Sequence, residues 1–196
     1  MSLRAFAALE LPPELQQQLA RLQDDLKAAV PPRSVRWVRV EGIHLTLKFY
    51  GDVDSDRLAA VRAGLERAAA GSAPMELSVQ GTGVFPNAAR PSVVWAGVTG
   101  ELERLRRLQA AVEAEAIALG FKPEDRPYAP HLTLGRVNPG GPGAARELMA
   151  ALASAREKRL GTFRPTQLSL MNSELRAGGS VYKQLSATPL AARPSA

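Results

Sequence analysis

One tetrapeptide occurs twice in the chain, as His44-Leu45-Thr46-Leu47 and as His131-Leu132-Thr133-Leu134. The two copies contain both histidines of the 196 residues, and the chain has no cysteine. Apolar and polar residues alternate in each copy, which is the period of a β-strand, so His and Thr share one face and the leucines the other. Two such strands facing each other would provide two imidazoles and two hydroxyl donors.

These side chains are suited to proton transfer at a phosphate. The ordinary pKa of histidine is about 6.5, so near neutral pH one imidazole can accept a proton while another donates one. Each general acid or base typically contributes about 10²–10⁴ in rate. The hydroxyls of Thr46 and Thr133 could stabilise charge that builds up on non-bridging oxygens. Together with a formal net charge of +6, this combination favours attack at phosphorus without a metal ion.

Two other interpretations of His44 and His131 compete with acid–base chemistry. A single histidine on an apolar strand is more often a core residue, but packing does not require the same His-x-Thr pattern twice and nowhere else. A metal site usually takes three or four ligands. A carboxylate would have to complete one here, and neither motif has an acidic residue one or two positions away. We therefore expect no metal and no cofactor.

Length and composition indicate one globular domain. A chain of 196 residues can bury a substantial core. It has no run of about 18 apolar residues and no signal-peptide pattern, so we expect no membrane span and a cytoplasmic protein. The positive charge raises the expectation of a polyanionic partner such as RNA.

Apolar spacing and the Gly and Pro breaks predict the elements that position the motifs. Helices are predicted over 12–30, 54–70, 102–119 and 144–158. Strands are predicted over 3–10, 43–50, 75–79, 92–98, 131–137, 166–171 and 181–186, with a glycine-rich turn or bulge region at 81–87 and a flexible link at 140–143.

The predicted elements repeat. The order helix, motif strand, helix, strand, strand occurs twice along the chain. We infer an α+β fold of two pseudo-symmetric lobes, each an antiparallel sheet with helices on its outer face, that enclose a central groove. This domain is expected to span 1–190, followed by a flexible tail at 191–196.

Several stretches resemble a known superfamily. They are His44-Leu-Thr-Leu-Lys-Phe, Gly83-Val-Phe-Pro, Val94-Trp-Ala-Gly-Val and Pro130-His-Leu-Thr-Leu-Gly-Arg. These stretches resemble the two-histidine phosphoesterases, and most closely the RNA 2′,3′-cyclic phosphodiesterases of bacteria and archaea. That family is also called ThpR or LigT and was formerly described as 2′-5′ RNA ligases. The resemblance extends over residues 3–187.

The resemblance implies a reaction and roles for the motif residues. The reaction is hydrolysis of a terminal RNA 2′,3′-cyclic phosphate to a 2′-phosphate without a metal. His44 would be the proton donor to the departing 3′-oxygen and His131 the proton acceptor that activates water. Thr46 and Thr133 would bind the phosphate. The implied partners are RNA 3′ ends with a cyclic phosphate, such as tRNA halves, or small cyclic nucleotides, and we expect a monomer.

Two basic residues near the motifs are further candidates for substrate binding. Arg136 follows the second motif and matches a basic position of the family. Lys48 lies four residues after His44 and shares its face if the strand stays regular. For both, an ordinary surface role is an equal alternative. Two other functions also stay open, namely 2′-5′ joining of RNA ends and a non-catalytic module that binds RNA ends.

Overall fold

A computed structural model of the chain describes residues 2–139, 142–176 and 179–191. Within these ranges the elements, in chain order, are β1 Ser2–Leu9, α1 Pro13–Ala28, β2 Val35–Trp37, a 3₁₀ turn Val40–Gly42, β3 Leu45–Asp54, α2 Leu58–Ala69, β4 Leu77–Phe85, β5 Val93–Gly100, α3 Leu102–Ala118, β6 His131–Val137, α4 Pro142–Ser154, β7 Arg159–Phe163, β8 Gln167–Arg176 and β9 Gly179–Pro189. None of the described helices is long and apolar enough to cross a membrane.

The described strands form one antiparallel sheet made of two lobes. Its order is β7-β4-β5-β6-β3-β1-β8-β9, with β2 paired to β6. The lobes join where β3 meets β6, with Leu45 paired to Leu132. The first lobe therefore contains β1, β3, β8 and β9, and the second contains β2, β4, β5, β6 and β7. The predicted α+β fold with two antiparallel lobes is confirmed.

Each lobe combines strands from both halves of the chain. The strands that follow the first motif, β4 and β5, lie in the lobe of β6, whereas β8 and β9 lie in the lobe of β3. The helices divide in the same way, because α2 and α3 pack on strands of the first lobe while α1 and α4 pack on strands of the second. Each lobe therefore combines the motif strand of one sequence repeat with the two later strands of the other repeat.

The first helix shows how the core is built. Leu15, Leu19, Leu22 and Leu26 recur at intervals of three or four residues, and each is at most 2% exposed. This spacing places them on one stripe of the helix. Pro13 occupies the first turn, where proline costs no hydrogen bond. The helix predicted over 12–30 is confirmed, two residues shorter at its C-terminal end.

Two strands continue through glycines that were predicted to end them. β4 runs to Phe85 through the predicted turn or bulge region, and of these two alternatives the structure has a bulge, at Gly81, where φ is +72°. A side chain at Gly83 would overlap the ring of Trp95 on the neighbouring strand. β3 likewise continues past Gly51, whose φ is +73°. These glycines serve close packing and strand irregularities, which the residue type alone does not distinguish from a turn.

Other boundaries differ or cannot be compared. β7 was not predicted, since its five residues lie next to a helical pattern and lack a clear alternation. Of the predicted link at 140–143, residues 140 and 141 lie outside the described residues, and α4 begins at Pro142. The predicted tail at 191–196 also lies outside them, apart from residue 191.

Candidate active site

The two motifs meet where the lobes join. Leu45 lies opposite Leu132 in an antiparallel pair, so one step forward on β3 corresponds to one step back on β6. His44 is therefore next to Thr133, and Thr46 is next to His131. Both leucines are fully buried, and side chains alternate between the faces of a strand. The four polar side chains consequently share the opposite face of the sheet, which we call the motif face.

The two histidines occupy diagonally opposite positions of the β3–β6 strand pair. Directly opposite residues of an antiparallel pair have Cβ atoms about 5 Å apart, and diagonal neighbours are roughly 7–8 Å apart. His44 and His131 are such diagonal neighbours, because the Leu45–Leu132 pair lies between them. At this separation of the Cβ atoms, the threonine of each motif lies beside the histidine of the other motif.

Both imidazoles are oriented by an equivalent contact, with the backbone carbonyl two residues earlier. Nδ1 of His44 lies 2.8 Å from the carbonyl oxygen of Gly42, and Nδ1 of His131 lies 2.7 Å from that of Ala129. A carbonyl can only accept, so Nδ1 donates in both rings. Nε2 is then the atom that can accept a proton in the neutral ring or donate one in the charged ring. This tautomer suits both rings to proton transfer.

His44 is enclosed by aromatic rings. Its imidazole stacks on Phe6, with ring centres 4.5 Å apart, and meets Tyr182 edge-on at 4.9 Å. Loss of solvent lowers the pKa of His44 to about 4, against the opposing effects of the Gly42 hydrogen bond and the negative charge of Glu10. His44 is therefore neutral in the free protein near pH 7.

A β-bulge follows the threonine in each motif. Ala8 pairs with Thr46 and Ala7 with Lys48, which leaves Leu47 as an extra residue on β3. In the second motif, Trp95 pairs with Thr133 and Val94 with Gly135, which leaves Leu134 extra on β6. Each bulge reverses the alternation of side chains beyond it.

The first bulge changes the position expected for Lys48. That prediction assumed a regular strand, but Lys48 lies on the helix-covered face, away from His44. Its side chain is 1% exposed, and Nζ lies 3.0 Å from Glu113 Oε1 and 2.8 Å from the carbonyl oxygen of Lys122. Lys48 is a buried cation paired with Glu113, and it also lines a pocket that contains Thr46 and His131.

The second bulge has the opposite effect on Arg136. A regular strand would turn this side chain towards the core, whereas the bulge returns it to the face of Thr133. Arg136 pairs with Val93 on that face and is exposed. The structure thus brings five of the six predicted site residues to the motif face, namely His44, Thr46, His131, Thr133 and Arg136.

Known proteins share both the sequence and this architecture. The sequence model described as LigT-like phosphoesterase matches the chain twice, over residues 9–95 and 97–182, so that each match contains one motif. The chain belongs to the LigT-like phosphoesterase family. The expectation of a phosphoric diester hydrolase of this family is confirmed.

Individual relatives of this LigT-like phosphoesterase are similar over almost their whole length. The RNA 2′,3′-cyclic phosphodiesterase of Methanothermobacter thermautotrophicus is 37% identical, over 94% of this chain and 97% of that protein. The protein of the same name from Aeropyrum pernix is 34% identical, over 86% and 92%. The crystal structure of TT0787 of Thermus thermophilus has a TM-score of 0.79 at 28% identity, over 97% of this chain and 100% of that one.

A pocket of this LigT-like phosphoesterase adjoins His131, and His44 is not among the residues that line it. It has a volume of about 550 Å³, and Thr46 and His131 both line it. Phe49 and Phe85 contribute apolar walls, and Phe85 meets the ring of His131 edge-on at 5.0 Å. Volumes of roughly 300–1,000 Å³ with apolar walls and a few polar groups are usual for small-molecule sites. The pocket is large enough for a nucleoside next to the motif face.

Sequence reasoning missed Glu10, whose negative charge acts on the His44 ring. Its carboxylate accepts hydrogen bonds from the hydroxyl of Ser169 and from Nε2 of Gln184. Ser169 is fully buried and lies opposite Ala8 in the β1–β8 pair. Both donors belong to the last two strands, far from Glu10 in the sequence, so no local pattern could have indicated the contact.

The described residues hold no group of three or more His, Asp or Glu side chains that could bind a metal ion. Of the predicted site residues, the motif face carries two imidazoles, two hydroxyls and one guanidinium, those of His44, His131, Thr46, Thr133 and Arg136.

Proposed function

We propose that this LigT-like phosphoesterase hydrolyses the 2′,3′-cyclic phosphate at the 3′ end of RNA to a 2′-phosphate. The observation that carries the proposal is the diagonal placement of His44 and His131 with Nε2 of each ring free for proton transfer. The relatives from Methanothermobacter thermautotrophicus and Aeropyrum pernix, both named RNA 2′,3′-cyclic phosphodiesterase, support the choice of substrate.

The proposed reaction is an attack of water on phosphorus. Nε2 of neutral His131 accepts a proton from water, whose oxygen forms the new bond to phosphorus. The bond between phosphorus and O3′ breaks, and Nε2 of protonated His44 gives its proton to O3′. The phosphate stays attached through O2′. Thr46 and Thr133 donate hydrogen bonds to the non-bridging oxygens, where negative charge increases in the transition state.

The assignment of His44 as proton donor requires its ring to be protonated when the substrate is bound. Burial keeps the ring neutral in the free protein near pH 7, whereas a proton donor must be charged. A bound phosphodiester is an anion, and an opposite charge at close range favours the protonated imidazole. His44 therefore takes up its proton together with the substrate. No metal is part of this scheme, since imidazoles perform both proton transfers.

Turnover of an oligonucleotide with a 2′,3′-cyclic end in the presence of EDTA tests the proposal. His44→Ala and His131→Ala should each lower kcat by about 10²–10⁴, whereas Arg107→Gln on the outer surface of α3 should keep the wild-type rate. Full activity in the double histidine variant, or activity that EDTA abolishes and a divalent cation restores, would contradict the mechanism.

The products of the same assay separate the alternatives. A 2′-phosphate agrees with departure of O3′, and joined RNA halves would reveal 2′-5′ ligation. Binding of the oligonucleotide without any turnover would favour the non-catalytic RNA-end module and refute the proposed hydrolysis.

A further inference from the structure

A carboxylate lies beside the imidazole of His44. Leu9 pairs with Leu45, so Glu10, the residue that follows β1, lies opposite His44 in this antiparallel pair. Opposite residues share a face of the sheet, with Cβ atoms about 5 Å apart. Glu10 therefore belongs to the motif face and brings a negative charge close to the ring.

Two uncharged side chains hold this carboxylate in place. Oγ of Ser169 donates a hydrogen bond to Oε1 of Glu10 at 2.5 Å, and Nε2 of Gln184 donates to the same oxygen at 2.6 Å. Nε2 of Gln184 also lies 3.2 Å from Oγ of Ser169. Ser169 is fully buried on β8, the strand on the other side of β1. The three side chains thus form one network that anchors Glu10 to the sheet.

The negative charge of Glu10 has no lysine or arginine partner among the described ion pairs. Elsewhere the fold does pair its carboxylates, as in the contact of Glu115 with Arg67. A protonated His44 would place a positive charge next to Glu10, whereas a neutral ring would not. The carboxylate therefore stabilises the charged form of His44 relative to the neutral form.

The second histidine lacks this arrangement. Within its own lobe, His131 lies opposite Gly97 of β5, just as His44 lies opposite Glu10 of the first lobe. Gly97 has no side chain, so the position equivalent to Glu10 carries no charge beside His131. This difference agrees with proton donation by His44 and proton acceptance by His131.

Several other titratable or charged groups lie around His44. They are Tyr182 of β9, His131 and Arg136 of β6, and Arg39 and Glu41 at the 3₁₀ turn. Burial lowers the pKa of His44, and among the described charged side chains Glu10 is the one whose charge opposes this effect. Glu41, three residues before His44, carries the same charge as Glu10 and provides a matched control.

We propose that Glu10 is a positioning residue that keeps His44 protonated while the substrate is bound. The inference rests on the proposed function, in which Nε2 of His44 gives its proton to O3′. The bound phosphodiester supplies one negative charge near the ring, and Glu10 supplies a second that does not leave with the product. Ser169 and Gln184 hold this second charge in place throughout the reaction.

The pH dependence of kcat on an oligonucleotide with a 2′,3′-cyclic end tests this role. The rate falls at high pH when His44 loses its proton in the complex, and at low pH when His131 becomes protonated. Glu10→Gln removes a charge that favours protonated His44, so the alkaline limb should move to lower pH by about 0.5 unit. This is the effect of a unit charge roughly 6 Å away in water. On that limb kcat should fall about threefold, whereas the acid limb should stay in place.

Two variants separate the charge of Glu10 from its shape. Glu10→Asp retains the charge and should keep the alkaline limb of wild type, and Glu41→Gln should keep it as well. If Glu10→Gln does not fold, Glu10→Asn is compared with Glu10→Asp, because the two differ in charge and not in size. A merely structural role of Glu10 would lower kcat equally at all pH values.

NMR titration of the two ring signals without substrate separates the role of Glu10 from the reaction. In Glu10→Gln, the pKa of His44 should lie about 0.5 unit below that of wild type, and the His131 signal should titrate as in wild type.

Two results would overturn the role of Glu10. One is an alkaline limb that Glu10→Gln leaves in place, and the other is a shift of equal size in Glu41→Gln. If wild type turns over no cyclic phosphate, the proposed function fails. The NMR titration then still decides whether Glu10 acts on His44, since an unchanged His44 signal in Glu10→Gln would refute it.

Discussion

Two histidines with the same local sequence occupy different surroundings. His44 lies between Phe6 and Tyr182, which come from the first and the last strand, whereas the ring contact of His131 is with Phe85. Both have Nδ1 fixed by the carbonyl two residues earlier. Local sequence therefore sets the tautomer of each ring, and long-range packing sets the pKa of His44.

The low pKa of His44 predicts how stability depends on pH. The folded-state pKa of about 4 lies below the unfolded value of about 6.5. Between these values the unfolded chain binds more protons, so the free energy of unfolding falls as the pH is lowered from 7 towards 4. The contribution of His44 at pH 4.5 is roughly 2–3 kcal/mol. His44→Gln should abolish this part of the fall.

Urea unfolding at pH 7 and pH 4.5 measures the effect. Wild type and His131→Gln retain His44, so their free energy of unfolding should fall more between pH 7 and pH 4.5. In His44→Gln this decrease should be smaller by roughly 2–3 kcal/mol. Equal falls in all three proteins would mean that burial does not hold His44 neutral. Because the chain has two histidines, NMR titration of the ring signals gives an independent value.

At the scale of elements, Lys48 stabilises the loop that leads to His131. Nζ of Lys48 contacts Glu113 on α3, the carbonyl oxygen of Lys122 and, at 3.5 Å, Glu124. The backbone N–H of Glu124 also donates to Glu113 at 2.8 Å. These contacts hold the loop between α3 and β6 against the β3 strand that carries Thr46. Lys48 thereby contributes to the relative position of the two motifs.

Removal of the charge on Lys48 is expected to cost stability. Lys48→Met leaves Glu113 without its buried partner, and loss of one member of such a pair costs about 3 kcal/mol. Lys27→Met is the matched control, because that ammonium pairs with Asp24 at an exposed position of α1 and should cost less than about 1 kcal/mol. Chemical denaturation measures both.

A double variant distinguishes charge from shape. Lys48→Met combined with Glu113→Leu replaces the whole pair by apolar groups, which is often close to neutral. We expect the double variant to be more stable than Lys48→Met alone. If instead the losses of stability caused by Lys48→Met and by Glu113→Leu add in the double variant, packing of the lysine stem rather than the ion pair explains the effect.

At the scale of the whole molecule, the exchange of strands couples the two lobes. The first lobe is completed only when β8 and β9 return from the end of the chain, and the second lobe needs β4 and β5 from its middle. Neither half of the sequence contains a complete lobe. The lobes are therefore expected to unfold in one cooperative transition, as small domains usually do.

A substitution in one lobe should be detected in the other. Leu170 on β8 is fully buried in the first lobe, and both tryptophans, Trp37 and Trp95, lie on strands of the second. Leu170→Ala should lower the free energy of unfolding by about 2–5 kcal/mol. Tryptophan fluorescence and circular dichroism should report the same shift.

Leu175→Ala is the control for this experiment, since Leu175 lies on the same strand but is 73% exposed. It should leave both signals nearly unchanged. A fluorescence transition that stays at the wild-type midpoint in Leu170→Ala would show that the second lobe unfolds independently.

The sequence by itself determined which groups the site contains. The duplicated motif and its alternation predicted two strands, with His44, Thr46, His131 and Thr133 on one face. These properties depend on residues two positions apart, which local geometry already relates. The helices and most strands could be predicted for the same reason, since their apolar periods are local.

Only the tertiary structure decided what lies around those groups. The bulges at Leu47 and Leu134 turned Lys48 inwards and Arg136 outwards, and they exist because the partner strand has one residue fewer at that point. The exchange of strands and the contact of Glu10 with Ser169 likewise join distant segments. No local pattern specifies such pairings, because the register of two strands is fixed by the packing of the whole sheet.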